Sequence, residues 1–245
     1  MGSFWNNFTQ SRTGERKRGL GRWFQILEER FMALFWTNLL LVGMGLPLIA
    51  SLFFFAQLGD GLSLVAMAAG VLILSPGLTA ASFLTMQIIR DKPVDVWRDF
   101  WKSVRRDWKQ SVGYGAAMGL LWGAFVYALE LVTAVHGGLG LMYTMVFFLC
   151  AFLAMGLTIL GFQQIAMVEL PFFGVFRNAF LLIFAGRGRS LGAILLTMLL
   201  VGLCLWFYPY FVFILLLGIP TLIIMTANLI DYPVFASFFL EDEEA

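Results

Sequence analysis

Charge is what this sequence has least of. Only 13% of its 245 residues are Asp, Glu, Lys or Arg, roughly half the share usual in a soluble domain. Its single histidine, His136, excludes a two-histidine zinc helix, which needs a pair of imidazoles one turn apart. The two cysteines, Cys150 and Cys204, lie far apart in apolar runs, so neither a disulfide framework nor a cysteine metal site is expected. All four lysines (Lys17, Lys92, Lys102 and Lys109) fall in polar stretches, which leaves none inside the apolar segments to activate a serine. The expectation is a chain with no catalytic residues, no metal and no cofactor.

Hydrophobicity is abundant. Apolar residues make up 60% of the chain, with 26 Phe and 8 Trp, and the mean hydropathy is +0.86. One soluble core cannot cover that much apolar surface, and a disordered chain does not tolerate it. The composition defines an integral membrane protein.

The few charges are unevenly placed. The 16 basic residues gather at Arg12 to Arg30, Arg90 to Lys109 and Arg177 to Arg189. Basic residues favour the cytoplasmic side of a membrane, so an even number of crossings must separate successive clusters. Residues 31–89 and 110–176 each accommodate two crossings of about 20 residues. Six spans follow, at about 31–58, 62–89, 110–135, 141–168, 191–209 and 211–232, forming one transmembrane domain over 31–240. The turn between the last two falls either at Tyr208-Pro209-Tyr210 or at Gly218-Ile219-Pro220. Residues 1–30 form a cytoplasmic segment with no apolar signal-peptide region, and 241–245 an acidic cytoplasmic tail. The first span then serves as its own insertion signal. Pro47 interrupts the first span, and Ser75-Pro76-Gly77 is expected to kink or unwind the second.

Amphipathic stretches lie between the spans. In 95–109, Trp97, Phe100, Trp101, Val104 and Trp108 recur at helical spacing, with Arg98, Lys102, Arg105, Arg106 and Lys109 on other faces. Trp at headgroup level with Arg and Lys snorkelling beside it describes a helix lying in the inner interface, so Trp97, Arg98, Trp101, Arg105 and Trp108 are candidate lipid contacts. The bilayer explains this pattern better than nucleic acid does. The steps recur at Leu20, Trp23, Phe24, Leu27 and Phe31, and again at Phe176, Ala179, Phe180 and Ile183, with Arg187 in fifth place. An offset of 79 superposes Gly77-Leu78-Thr79 on Gly156-Leu157-Thr158, Phe83 on Phe162, Arg98 on Arg177 and Ser111 on Ser190. The fold expected is therefore all-α and polytopic, with two or three amphipathic inner-interface helices and a parallel internal repeat of in-plane helix plus hairpin.

Polar groups inside spans are costly, and they are the natural place to look for function. Asn38, Thr79, Glu130 and Thr158 are the candidate intramembrane site, lining a cavity or bonding helix to helix. Ser75, Ser82, Gln87, Gln163, Gln164 and Asn228 share those two readings. Glu130 is either a proton or cation site near His136 and Asp60, or a carboxylate reaching the outer interface. Glu169 and Asp231 sit near inner span ends, where the basic clusters can pair them. Gly115, Gly119 and Gly123 form a doubled GxxxG that admits a close helix, from this chain in preference to a second copy, though a homo-oligomer stays open. Gly186-Arg187-Gly188-Arg189-Ser190 reads as a positive-inside loop or an anionic headgroup site.

Several of these stretches resemble the YesL family of small bacterial membrane proteins, a domain of unknown function. They are Asn38-Leu39-Leu40 with Leu46-Pro47, then Ser75-Pro76-Gly77-Leu78-Thr79-Ala80-Ala81, similar to that family's GPATAAL segment, then Val96-Trp97-Arg98-Asp99-Phe100-Trp101, and Asn228. Leu78 departs from the small residue usual there, as does the longer region around His136. The resemblance implies a multi-pass protein of the bacterial plasma membrane. It also implies an accessory role in carbohydrate import beside ABC permease subunits, and it supplies no catalytic or ligand residues. The rival reading is a small solute or ion transporter or channel, motivated by the repeat, the proline-broken spans and Glu130.

Overall fold

The computed structural model describes residues 19–58, 61–134, 137–186, 188–207 and 218–239, and among them every regular element is a helix. In order these are α1 (Leu20–Leu58), α2 (Gly61–Ile89), α3 (Val96–Ala134), α4 (Gly137–Met167), α5 (Phe172–Ala185), α6 (Arg189–Trp206) and α7 (Ile219–Phe239). Asp60, His136, Arg187 and the 241–245 tail lie outside the described residues.

Helices α1, α2, α3, α4 and α7 are each long and apolar enough to cross a membrane. Helix α6 has only 18 residues, about 27 Å at 1.5 Å per residue. It meets the same test jointly with α5, across a bend of 101°. Six crossings are therefore reached by counting a bent pair as one span, where the sequence suggests a straight helix over 191–209. The bend has a local cause. Gly188 sits at φ +85, a conformation that only glycine adopts freely, and the Arg189 amide closes the turn on the Gly186 carbonyl at 2.9 Å. The glycine-rich basic loop thus supplies a turn.

Two expected in-plane helices are continuous with the spans that follow them. Neither 20–31 nor 96–110 contains a proline to stop the helix. In α1 the join is marked only by the non-helical φ/ψ of Arg30 (φ −122, ψ 16), and α3 runs unbroken for 39 residues. Only α5 is a separate amphipathic helix. Pro47 and Pro76 also stay inside continuous helices. Packed neighbours compensate for a proline inside a membrane helix, and Pro76 is buried among them. The last helix begins at Ile219 after Gly218 (φ +99) and continues to Phe239, where the sequence reading ended it at 232.

The packing repeats three times. Helices α2, α4 and α7 touch one another at the centre, while α1 lies against α7 and α2, α3 against α2 and α4, and α6 against α4 and α7. The first long helix of each hairpin is thereby wedged between its own partner and the second helix of another hairpin. The last unit closes on the first. This cyclic arrangement is what a parallel repeat of hairpins produces when each unit buries its apolar face on the next.

Candidate functional site

The inward faces of the amphipathic segments are more polar than their spacing suggests. In the first, Arg22, Gln25, Ile26 and Arg30 are buried while Leu20, Phe24 and Phe31 point outward. Arg22 pairs with Asp91 and donates to the Ile89 carbonyl at 3.3 Å. Trp23 Nε1 donates to Thr226 Oγ1 at 2.9 Å, tying this segment to α7. In the second, Phe100 is fully buried and Trp97 is 66% exposed. Trp97, Arg98, Trp101, Lys102 and Arg105 line one open groove of about 710 Å³. Trp108 stands apart from that groove, exposed, with Lys109 Nζ 5.9 Å from its ring centroid. Arg106 points the other way, to the Ala166 carbonyl at the end of α4 (2.9 Å), while Gln110 donates to the Leu170 carbonyl at 2.8 Å. Cationic groups suit a helix C-terminus, where carbonyls lack partners.

The candidate intramembrane residues do not converge. Asn38 Oδ1 accepts from the Thr221 amide at 3.3 Å, joining α1 to α7. Thr79 and Ser111 share a hydrogen bond of 2.7 Å between α2 and α3. Thr158 accepts from Trp122 Nε1 at 3.1 Å between α4 and α3, and donates to its own helix at Ala154. These are three joints between three different helix pairs. Glu130 belongs to α3, and its side chain lies outside the described residues. Gly115 and Gly119 face α2: a Cβ on Gly115 would collide with Ser75, and one on Gly119 would come within 2.9 Å of Val71. Gly123 meets nothing, so two glycines of the doubled motif pack inside the chain and the third does not.

Two connections escape the sequence reading. The Tyr114 hydroxyl, fully buried on α3, donates to the Leu157 carbonyl of α4 at 2.7 Å. The absence of a side chain at Gly161 makes room for its ring. At the centre, Asn228 of α7 accepts from Gln163 Nε2 of α4 at 2.6 Å. It donates to Thr85 Oγ1 (2.6 Å) and the Ser82 carbonyl (3.3 Å) of α2. One amide therefore clasps the three central helices, using both its acceptor and its donors. Periodicity could only mark Asn228 as one polar residue among many, since its partners are 65 and 143 residues away.

Asp231 corrects the sequence reading most sharply. Because α7 continues to Phe239, this carboxylate lies two turns inside the helix, only 1% exposed, and it pairs with no basic cluster. Its polar neighbours are Ser190 and Gln163. Glu169 lies just past the end of α4, exposed, beside Arg106, Lys109 and Gln110 in an open groove of about 540 Å³.

The fold thus defines a class, an all-α polytopic membrane protein closed by a three-fold repeat of helix pairs. Residues 34–129 match the family described as "Protein of unknown function, DUF624", the domain that YesL-type proteins carry. The match runs from α1 to the outer part of α3, covering Asn38, Thr79, the tryptophan groove and the three glycines, but not Thr158, Gln163 or Asp231. No curated protein and no solved structure matches the chain.

Proposed function

We propose that the chain is a non-enzymatic accessory protein of the bacterial plasma membrane that supports carbohydrate import by an ABC transporter through contacts with its permease subunits. The dispersal of Asn38, Thr79 and Thr158 among three helix joints carries this reading. Polar side chains paired in this way hold helices together and line no common path. Apolar side chains such as Phe53, Phe54, Val146, Phe148 and Leu149 stay exposed, available to lipid or to permease helices. The three basic clusters set both termini on the cytoplasmic side. There Trp97, Arg98, Trp101 and Arg105 rest among lipid headgroups. Deletion should reduce uptake of a labelled sugar in intact cells, and the tagged protein should retain permease subunits through purification from membranes. Unchanged uptake together with no recovered permease defeats the proposal.

Solute or ion transport is the second reading, favoured by the buried carboxylate of Asp231 in the bundle interior. Proteoliposomes that show only background flux, with wild type no faster than Asp231→Asn or Glu130→Gln, remove it.

A further inference from the structure

Three cations in the first turns of α3 go without a neutralising partner. Among the described residues, Arg98, Lys102 and Arg105 form no ion pair, although acids are close in the chain. Asp95 and Asp99 are spent on opening the helix. Asp99 Oδ2 accepts from the Asp95 amide at 2.9 Å, and Asp95 Oδ1 accepts from the Arg98 amide at 3.2 Å. Asp107 is taken by Arg106. Positions 98, 102 and 105 share one helix face, so the three cations form a row about 10 Å long. Trp97 and Trp101 stand beside that row, their rings edge to face with centroids 6.2 Å apart. These five side chains line the open groove described above, and no acid does.

The opposite face of the helix holds this surface in place. Phe100 is fully buried in a cluster with Ile26 of α1, Leu84 of α2 and Met225 of α7. Ser103 is buried and donates to Asp107 at 3.4 Å, and Arg106 reaches the Ala166 carbonyl. The segment therefore cannot turn about its axis to hide its cations. We propose that the groove binds the headgroup of an anionic phospholipid, its phosphate held by Arg98, Lys102 and Arg105 and its glycerol resting on Trp97 and Trp101. The inference rests on the placement of this face among headgroups proposed above, and adds to it a selection for lipids of net negative charge. Cations at a membrane surface attract anionic lipid, and a guanidinium bonds phosphate oxygens in pairs. Tryptophan alone would accept a choline by cation–π contact, but the row of cations repels that ammonium and disfavours zwitterionic lipid. On the α1 segment that shares the Phe100 cluster, Leu20, Phe24 and Phe31 are exposed. That apolar surface suits a bilayer better than an acidic partner in water.

The test uses the full chain, stripped of lipid in a neutral detergent and incubated in micelles holding equal amounts of dioleoyl phosphatidylglycerol and dioleoyl phosphatidylcholine. After repurification, mass spectrometry counts the lipid that stays bound. Wild type should retain phosphatidylglycerol at least about fivefold over phosphatidylcholine, the scale of one Lys or Arg near an anionic surface. Arg98→Gln, Lys102→Gln and Arg105→Gln together should bring the two lipids to near-equal retention. Lys109→Gln, Arg177→Gln and Arg189→Gln together remove as many exposed cations from outside the groove and should keep the enrichment. Trp97→Ala, with every charge intact, should lower the lipid retained. If the triple groove variant does not fold, its three single variants carry the test, each lowering the ratio. Equal retention of both lipids by wild type, or enrichment that survives the groove variants, overturns the proposal. So does enrichment lost as fully in the control variant, or retention unmoved by Trp97→Ala. Retention of an oligoglutamate peptide in place of lipid overturns it as well, in favour of an acidic protein segment. Sugar uptake and permease recovery play no part in this readout, so failure of the accessory role would leave its result standing.

Discussion

The α2–α3 joint and the α4–α6–α7 joint hold residues 79 apart in the chain, Thr79 with Ser111 and Thr158 with Ser190, and their pairings differ. At the first, Thr79 meets Ser111 at 2.7 Å and Gly115 sits directly on Ser75. At the second, Thr158 and Ser190 hold the equivalent places, 79 residues on, but they do not meet. Thr158 is taken by Trp122 of α3, while Ser190 turns to Asp231 of α7. Interhelical hydrogen bonds in membranes contribute little individually, so exchanging one partner is tolerated thermodynamically. A repeat can therefore keep its packing while one copy is freed for another task. The first joint lies inside the matched 34–129 segment and the second outside it.

Gly115→Leu should break the paired joint with the largest effect, about 3 kcal/mol of destabilisation from overpacking against Ser75, read as a loss of Tm in one fixed detergent. Gly123→Leu, whose position meets open space, should change stability by no more than about 0.5 kcal/mol. Equal losses in the two variants would show that α2 and α3 do not approach at Gly115.

Asn228→Ala severs the clasp linking both regions. It leaves Gln163, Thr85 and the Ser82 carbonyl short of a partner, at a cost of about 2 kcal/mol. Denaturation monitored by tryptophan fluorescence should detect it, and a neutral outcome would mean these groups find other partners.

The smallest effect sharpens the comparison most. Ser111→Ala should cost about 0.6 kcal/mol by losing its bond to Thr79. Ser190→Ala removes the hydroxyl beside the buried Asp231 carboxylate and should cost more, about 1.5 kcal/mol. Equal losses at Ser190 and Ser111 would erase the distinction between the two joints.

Much of the fold was legible in the chain. The apolar runs locate α2 and α4 to within a few residues, and the offset of 79 anticipates the cyclic packing. The junctions were not legible. Amphipathic spacing identifies a face but not where one helix ends and the next begins, so 20–30 and 96–109 read as separate pieces although each continues into its span. The same spacing does not say which polar residues turn toward the other helices, because in a bilayer the outer surface is apolar too. Arg22 and Arg30 could therefore turn inside, Arg22 onto Asp91, while Phe24 and Phe31 face out. Asp231 was misplaced for a related reason. A hydropathy boundary at 232 makes it a terminal residue, and only the continued helix shows it as internal.

Sequence by itself determined the helical, membrane-spanning class and the position of the long apolar runs. Those properties depend on composition summed over about 20 residues at a time, and tertiary contacts leave them unchanged. Tertiary structure alone decided which polar groups meet. Asn228 and Gln163 are neighbours because α4 and α7 meet, and Asp231 lies against Gln163 and Ser190 because α4, α6 and α7 pack together. Pairing of this kind depends on distance and direction between helices far apart in the chain, information that a one-dimensional pattern does not carry.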